Sequence, residues 1–149
     1  MKIEMKDYCK TIRGAEVLKH VSATFTSGNI YGLKGENGCG KTMMMRAVSG
    51  LILPTSGCVE IDGKVLGKDI SFPESIGVLI ENPAFLNAYT GFKNLRFLAD
   101  IQKKVTDDEI REAITAVGLD PNDKRSYRKY SLGMKERLGI ASAIMGTPE

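Results

Sequence analysis

The run Gly35-Glu36-Asn37-Gly38-Cys39-Gly40-Lys41-Thr42 restricts the possible folds of this chain more than any other stretch. It fits G-x-x-x-x-G-K-[ST], and its setting agrees with that pattern. Ile30, Tyr31, Gly32 and Leu33 before it predict a short buried strand. Lys41, Met43, Met44, Met45, Ala47 and Val48 after it predict a helix ending at Gly50 in a left-handed cap. A strand running through glycines into a helix N-terminus gathers backbone N–H groups and the positive end of a helix dipole at one point. Glycine is needed there because the backbone takes conformations that a side chain would forbid and must approach anionic oxygens closely. The loop therefore reads as a phosphate cradle. Lys41 is placed to reach the β and γ phosphates of a nucleotide, and the Thr42 hydroxyl to give one oxygen to Mg²⁺. Cys39 is a small filler for mechanism, yet beside a helix N-terminus it is the thiol expected to alkylate, and ATP is expected to shield it.

Around this loop the chain alternates strand and helix signals. Ile3 and Met5 alternate with charged neighbours, and Val17, Leu18, Val21, Ala23 and Phe25 follow a polar turn at Arg13 and Gly14, which predicts two antiparallel strands. A strand at Val59 to Ile61, a hairpin signal at Asp62-Gly63 and a strand over 76–80 are expected next. A helix over 91–103 has Phe92, Leu95, Phe97, Leu98 and Ile101 as its apolar face. Thr106-Asp107-Asp108-Glu109 opens another as a capping box, with Ile110, Ala113, Ile114 and Val117 on one stripe and Gly118 at its end. Ser131 begins a last helix that runs up to Pro148. The methionine cluster reads as core packing. The fold class is α/β: a phosphate-loop core with an N-terminal antiparallel β-subdomain and an α-helical insertion.

Composition narrows the partners. With 149 residues the chain can bury roughly two-thirds of its unfolded surface. No apolar run approaches the ~20 residues needed to span a bilayer, so any membrane association is expected through a partner. Twenty-one basic residues face 18 acidic ones, for a net charge of +3. The cluster Lys124, Arg125, Arg128, Lys129, Lys135 and Arg137 is interleaved by Asp123 and Glu136, so it reads as a solvated or partner-docking face and nucleic acid is not expected. Cys9, Cys39, Cys58 and the single His20 lack metal-ligand spacing, and a reducing, cytoplasmic setting is expected.

With the loop placed, three later segments complete a family order. Ile76-Gly77-Val78-Leu79-Ile80-Glu81-Asn82-Pro83, Thr90-Gly91-Phe92-Lys93-Asn94-Leu95 and Tyr130-Ser131-Leu132-Gly133-Met134-Lys135-Glu136-Arg137-Leu138 resemble the Q-loop and signature segments of ABC transporter ATP-binding subunits. The resemblance runs from about Lys10 to Glu149, and its wording is most similar to bacterial exporters of antimicrobial peptides or drugs. It implies ATP and Mg²⁺ as ligands, with Gly35, Asn37, Gly38, Cys39, Gly40, Lys41, Thr42 and Met43 around the phosphates. Ile12 stands at the adenine-stacking place by ungapped counting, and Tyr8 takes it if the turn is longer. Ser131 and Gly133 would offer a hydroxyl and a backbone N–H to the γ-phosphate of a partner's nucleotide.

Two positions depart from the family pattern. Glu81 stands where the family has a glutamine that touches Mg²⁺, and a carboxylate remains a good oxygen ligand. Met134 stands where the signature has an amide. The family's next elements, an apolar strand ending in Asp-Glu and a switch histidine, are expected after Glu149, so the C-terminal part of the core is expected to be missing from this chain and no catalytic base is assigned in it.

The resemblance divides the chain into a β-subdomain and phosphate-loop core (1–80), a Q-loop region (81–90), a helical subdomain (91–130) and a signature helix (131–149). It implies a head-to-tail dimer with a second ATP-binding subunit and a transmembrane partner docked near Phe85, Tyr89 and Phe92, at the inner face of the cell membrane. Hydrolysis would power transport in the full-length protein. The other reading is a nucleotide-binding fragment or regulatory partner that does not hydrolyse.

Overall fold

The computed structural model describes residues 1–102, 105–146 and 148. They form two compact units, Met1–Ser75 and Ile76–Pro148.

The first unit is built on an antiparallel sheet of β1 (Lys2–Ile12), β2 (Ala15–Thr26), β3 (Ser56–Ile61) and β4 (Lys64–Val65), in the order β2-β1-β3-β4. Arg13 at φ 49° and Gly14 at φ 82° close the β1–β2 hairpin, and Asp62 at φ 48° with Gly63 at φ 81° close β3–β4. Two successive left-handed residues match the right-handed twist of the flanking strands, which is why Asp-Gly was legible as a turn. The Asp62 carboxylate also accepts from the Lys2 N–H at 2.7 Å. Met5, Leu18, Val59 and Ile61 point to one side of the sheet and pack with Tyr8, Ala47 and Leu66.

On that side lies α1 (Lys41–Val48), with Met43, Met44 and Val48 packed against the cluster, as core methionines were expected to be. It ends at a Ser49 C-cap, followed by Gly50 at φ 78°.

Residues 30–33 are not the expected buried strand. They join no ladder; Ile30 is fully exposed and Tyr31 and Leu33 are more than a third exposed. The Tyr31 hydroxyl accepts from the Thr26 N–H at 3.0 Å, and its ring meets Phe25 edge to face at 5.1 Å. A central strand needs neighbours on both edges for its N–H and C=O groups, and among the described residues none pairs with this one.

The second unit is helical: α2 (Gly91–Gln102), α3 (Asp107–Ala116), a 3₁₀ turn at Tyr127–Lys129 and α4 (Leu132–Ile144). Leu95, Ala99, Ile110, Ile114, Tyr127, Tyr130, Leu138 and Ala141 form its core. The capping box of α3 is formed: Glu109 N–H donates to Thr106 Oγ1 at 3.3 Å and Thr106 N–H donates to Glu109 Oε2 at 2.7 Å. Ile110, Ala113 and Ile114 are buried, and Gly118 at φ 72° follows the helix end.

Three expectations are corrected in this unit. The buried face of α2 is Leu95 and Ala99 with Phe92 partly covered, while Phe97, Leu98 and Ile101 stay exposed. The i, i+4 pair Leu95 and Ala99 shares that core with Tyr127 and Tyr130. The expected end of α2 at Lys103 lies outside the described residues. Helix α4 stops at Ile144, where Gly146 at φ 78° turns the chain before Pro148. Residues 76–80 form no strand; they run along α4, where a Cβ on Gly77 would overlap the Ala143 carbonyl and one on Gly139 would come within 3.0 Å of Leu79 and Pro83. Small residues on α4 thus make a groove that takes this segment. No helix among the described residues is long and apolar enough to cross a membrane.

Candidate phosphate-binding site

Loop 35–42 enters α1 through two left-handed glycines, Gly38 at φ 85° and Gly40 at φ 96°. A side chain at Gly40 would be strained by that φ and also by space, since a Cβ would lie 2.9 Å from the Val17 carbonyl oxygen and 3.0 Å from Leu18. Glycine therefore lets the start of α1 rest directly on β2. A Cβ on Gly35 would come within 2.6 Å of Cys39 Sγ, so the two walls of the loop also touch. Gly40 is the N-cap, and no side chain caps the helix. The first-turn N–H groups of Lys41, Thr42 and Met43 consequently keep their positive potential for an outside anion.

The Lys41 ammonium folds back over this loop. It donates to the carbonyls of Gly35 at 2.8 Å and Glu36 at 2.7 Å, and lies 3.7 Å from Cys39 Sγ. These contacts hold a cation over the mouth of the cradle on a stem free to exchange carbonyl oxygens for phosphate oxygens. Val17, Asn37, Gly38, Gly40, Lys41, Thr42 and Met43 line a cavity of about 250 Å³ here. A larger, mostly apolar cavity of about 430 Å³ lies along α1 beside Ile3, Phe25, Tyr31 and Leu33, and Lys41 and Thr42 reach both.

The structure thus gathers Asn37, Gly38, Gly40, Lys41, Thr42 and Met43 around one cavity, with Gly35 and Cys39 against the Lys41 ammonium. Val17 was missed by sequence reasoning. Its signal was weak, because an apolar residue on an alternating strand looks like core until the glycine that abuts its carbonyl is placed. Ile12 ends β1 opposite Ala15, about a third exposed, and is not among the lining residues. Tyr8 cannot stack on a base: it is fully buried, and its hydroxyl donates to the Ile52 carbonyl at 3.2 Å. Burial pushes its phenol up to about 12. Of the thiols, Cys39 is exposed, Cys9 buried and Cys58 half-buried.

The remaining site residues belong to the second unit. Glu81 is exposed and holds a left-handed φ of 66°, a conformation that is sparse for a residue with a side chain. Ser131 caps α4, its Oγ accepting from Met134 N–H at 3.2 Å. Gly133 faces open space, and Leu132 beside it is 74% exposed. Arg125 grips Asp123 through Nε and Nη2, at 3.0 to 2.7 Å, which holds the Asp123 carboxyl below the usual range; the same guanidinium reaches Met134 Sδ at 3.9 Å. Phe85 and Phe92, two residues of the expected docking surface, are partly buried. Phe85 packs edge to face on Tyr127 at 5.3 Å, and Phe92 lies partly buried beneath the Arg111 guanidinium at 4.6 Å. Tyr89 remains exposed.

Comparison with known proteins agrees with this geometry. Residues 18–149 match the family described as ABC transporter. The chain is 48% identical over 147 residues to the ABC transporter ATP-binding protein YybJ of Bacillus subtilis, covering 99% of this chain and 67% of that protein. It is 37% identical over 148 residues to the bacitracin transport ATP-binding protein BcrA of Enterococcus faecalis, covering 99% of this chain and 48% of that relative. A lantibiotic transport ATP-binding protein, SrtF of Streptococcus pyogenes, is 30% identical over 148 residues, again 99% of this chain, and 63% of it is covered. The chain therefore spans from about half to two-thirds of the length of these relatives. Among solved structures, the dimeric cassette MJ0796 superposes with a TM-score of 0.84 over 98% of this chain and 70% of its own, at 22% identity.

Proposed function

The chain belongs to the family of ABC transporter ATP-binding proteins, and on that premise we propose that it binds Mg-ATP at loop 35–42 and serves, within a longer protein, as the ATP-hydrolysing subunit of a transporter. The observation that carries the reading is the cradle itself: two left-handed glycines, an uncapped helix N-terminus and the Lys41 ammonium converge on one cavity. Backbone N–H groups from Asn37 to Met43 hold the phosphates, Lys41 neutralises the β and γ oxygens, and Thr42 gives a hydroxyl to Mg²⁺. Bound Mg²⁺ would supply charge neutralisation across those phosphates. Glu81 serves as a second metal ligand in place of the family's glutamine. Ile12 contacts adenine, with Val17 beside the sugar and phosphates. Ser131 and Gly133 face the nucleotide held by a second ATP-binding subunit in a head-to-tail dimer. A transmembrane partner places the assembly at the cytoplasmic face of a membrane. The four-part division at 80, 90 and 130 describes these roles along the chain, and the names of the bacitracin and lantibiotic relatives support export of an antimicrobial peptide or drug.

Cys39 supplies a reporter inside the site. Mass spectrometry of maleimide-treated protein is expected to show one readily labelled thiol, Cys39, and Mg-ATP is expected to slow its labelling strongly. Labelling of Cys39 at the same rate with and without nucleotide would contradict the reading.

A further inference from the structure

Of the six asparagines in the chain, Asn37 alone is followed by glycine, and the pair lies inside the phosphate loop. Such a pair can react with itself. The Gly38 nitrogen attacks the Asn37 amide carbon Cγ, and an N–Cγ bond forms that closes a succinimide ring. The Cγ–Nδ2 bond breaks, and ammonia leaves with the Gly38 amide proton. Water then opens the ring at either carbonyl, leaving aspartate or isoaspartate. The reaction needs an uncommitted N–H with no side chain beside it, an uncommitted carboxamide and access for water.

Asn37-Gly38 meets all three conditions. Cys39 N–H donates to the Glu36 carbonyl at 3.3 Å, so Asn37 and Gly38 are the central residues of an exposed turn, with Gly38 at φ 85°. Neither the Gly38 N–H nor the Asn37 carboxamide has a hydrogen-bond partner among the described residues. Each of the other asparagines fails a condition. Pro83 after Asn82 has no N–H to attack with. Asp123 after Asn122 donates its N–H to the Asp120 carbonyl at 3.2 Å. Asn94 is buried, and its amide donates to the carbonyls of Leu86 at 3.1 Å and Thr90 at 3.0 Å. Asn29 and Asn87 precede Ile30 and Ala88, whose side chains crowd the nitrogen.

Asn37 also lines the cavity of about 250 Å³ together with Gly40, Lys41 and Thr42. A carboxylate in its place repels phosphate oxygens and competes with them for the Lys41 ammonium. Isoaspartate in addition inserts a backbone carbon between N–H groups that must converge on one anion. We propose that Asn37 is a site of spontaneous deamidation, and that its conversion to an acid weakens nucleotide binding at loop 35–42. The modification itself is independent of the nucleotide reading; its effect on binding rests on that reading.

Ageing the full chain in mildly alkaline buffer, with and without Mg-ATP, tests both halves. Mass spectrometry of the tryptic peptide 35–41 is expected to show amide-to-acid conversion at Asn37 ahead of the other asparagines, isoaspartyl methyltransferase is expected to label the product, and Mg-ATP is expected to slow its formation. Asn37→Asp is expected to bind a fluorescent ATP analogue at least about 10-fold more weakly than the fresh native chain, with its circular dichroism retained. Ageing is expected to weaken binding by the native chain and to leave aged Asn37→Ser equal to its own fresh sample. Another asparagine converting first, in a chain that binds the analogue, would overturn the modification site and leave the nucleotide reading intact. Native affinity in Asn37→Asp would overturn the effect on binding. Conversion at Asn37 in a chain whose fresh sample binds no analogue would overturn that effect together with the nucleotide reading.

Discussion

Gly40 joins three demands at one position: a left-handed φ of 96°, contact with the Val17 carbonyl and the first turn of α1. Gly40→Ala is expected to cost about 1–3 kcal/mol by urea unfolding, since both the φ and the contact must give. Unchanged stability would mean the loop does not hold this geometry. His20 offers a second residue-scale test because it is the single histidine. Its ring hydrogen-bonds the Asp7 carboxylate at 2.7 Å, and that bond, then the Asp7 charge, raises its pKa above the ordinary value. A raised folded pKa means the pair's stabilisation is fully present below the ordinary histidine pKa and is lost as pH rises through the folded value. By NMR the imidazole is expected to titrate above the ordinary value of about 6.5 in the native protein and to fall back toward it in Asp7→Asn. Both partners are largely exposed, so salt should shrink the shift. The motif spelled out the phosphate loop, yet Val17 and the burial of Tyr8 were not legible, because each depends on a contact far off in sequence.

Among elements, those set by local chemistry were readable. Thr106 and Glu109 are three residues apart and form the capping box from their own side chains and backbone. Thr106→Ala is expected to cost about 1 kcal/mol and to speed amide hydrogen exchange in the first turn of α3, without touching the first unit. Unaltered exchange would mean that the capping box does not stabilise this turn. The two hairpins were readable for the same reason, since Arg13-Gly14 and Asp62-Gly63 impose their turns locally. The buried side of α2 was not: Phe97 and Ile101 repeat at the same four-residue spacing as Leu95 and Ala99, and packing against residues far off in sequence, among them Ile114, Tyr127 and Leu138, decides which stripe turns inward. The segments 30–33 and 76–80 show the complementary limit. Their apolar content signals a need for burial and carries no information on which strand provides it.

At the scale of the whole molecule, each unit has its own core, and the exposed apolar residues Ile30, Tyr31 and Leu33 add unpaired backbone beside the phosphate loop. Such edges template association. The chain alone is expected to self-associate by light scattering and to unfold with low cooperativity; a monomer with one sharp transition would contradict this. Mg-ATP binding at loop 35–42 depends on Lys41. Titration of a fluorescent ATP analogue into the native chain and Lys41→Ala tests it most directly. Saturable binding by the native chain and a loss of at least about 100-fold in the variant, with its circular dichroism retained, are expected from removing the cation that would meet the β and γ phosphates through charge-assisted hydrogen bonds. Equal titration curves for the two proteins would contradict the account.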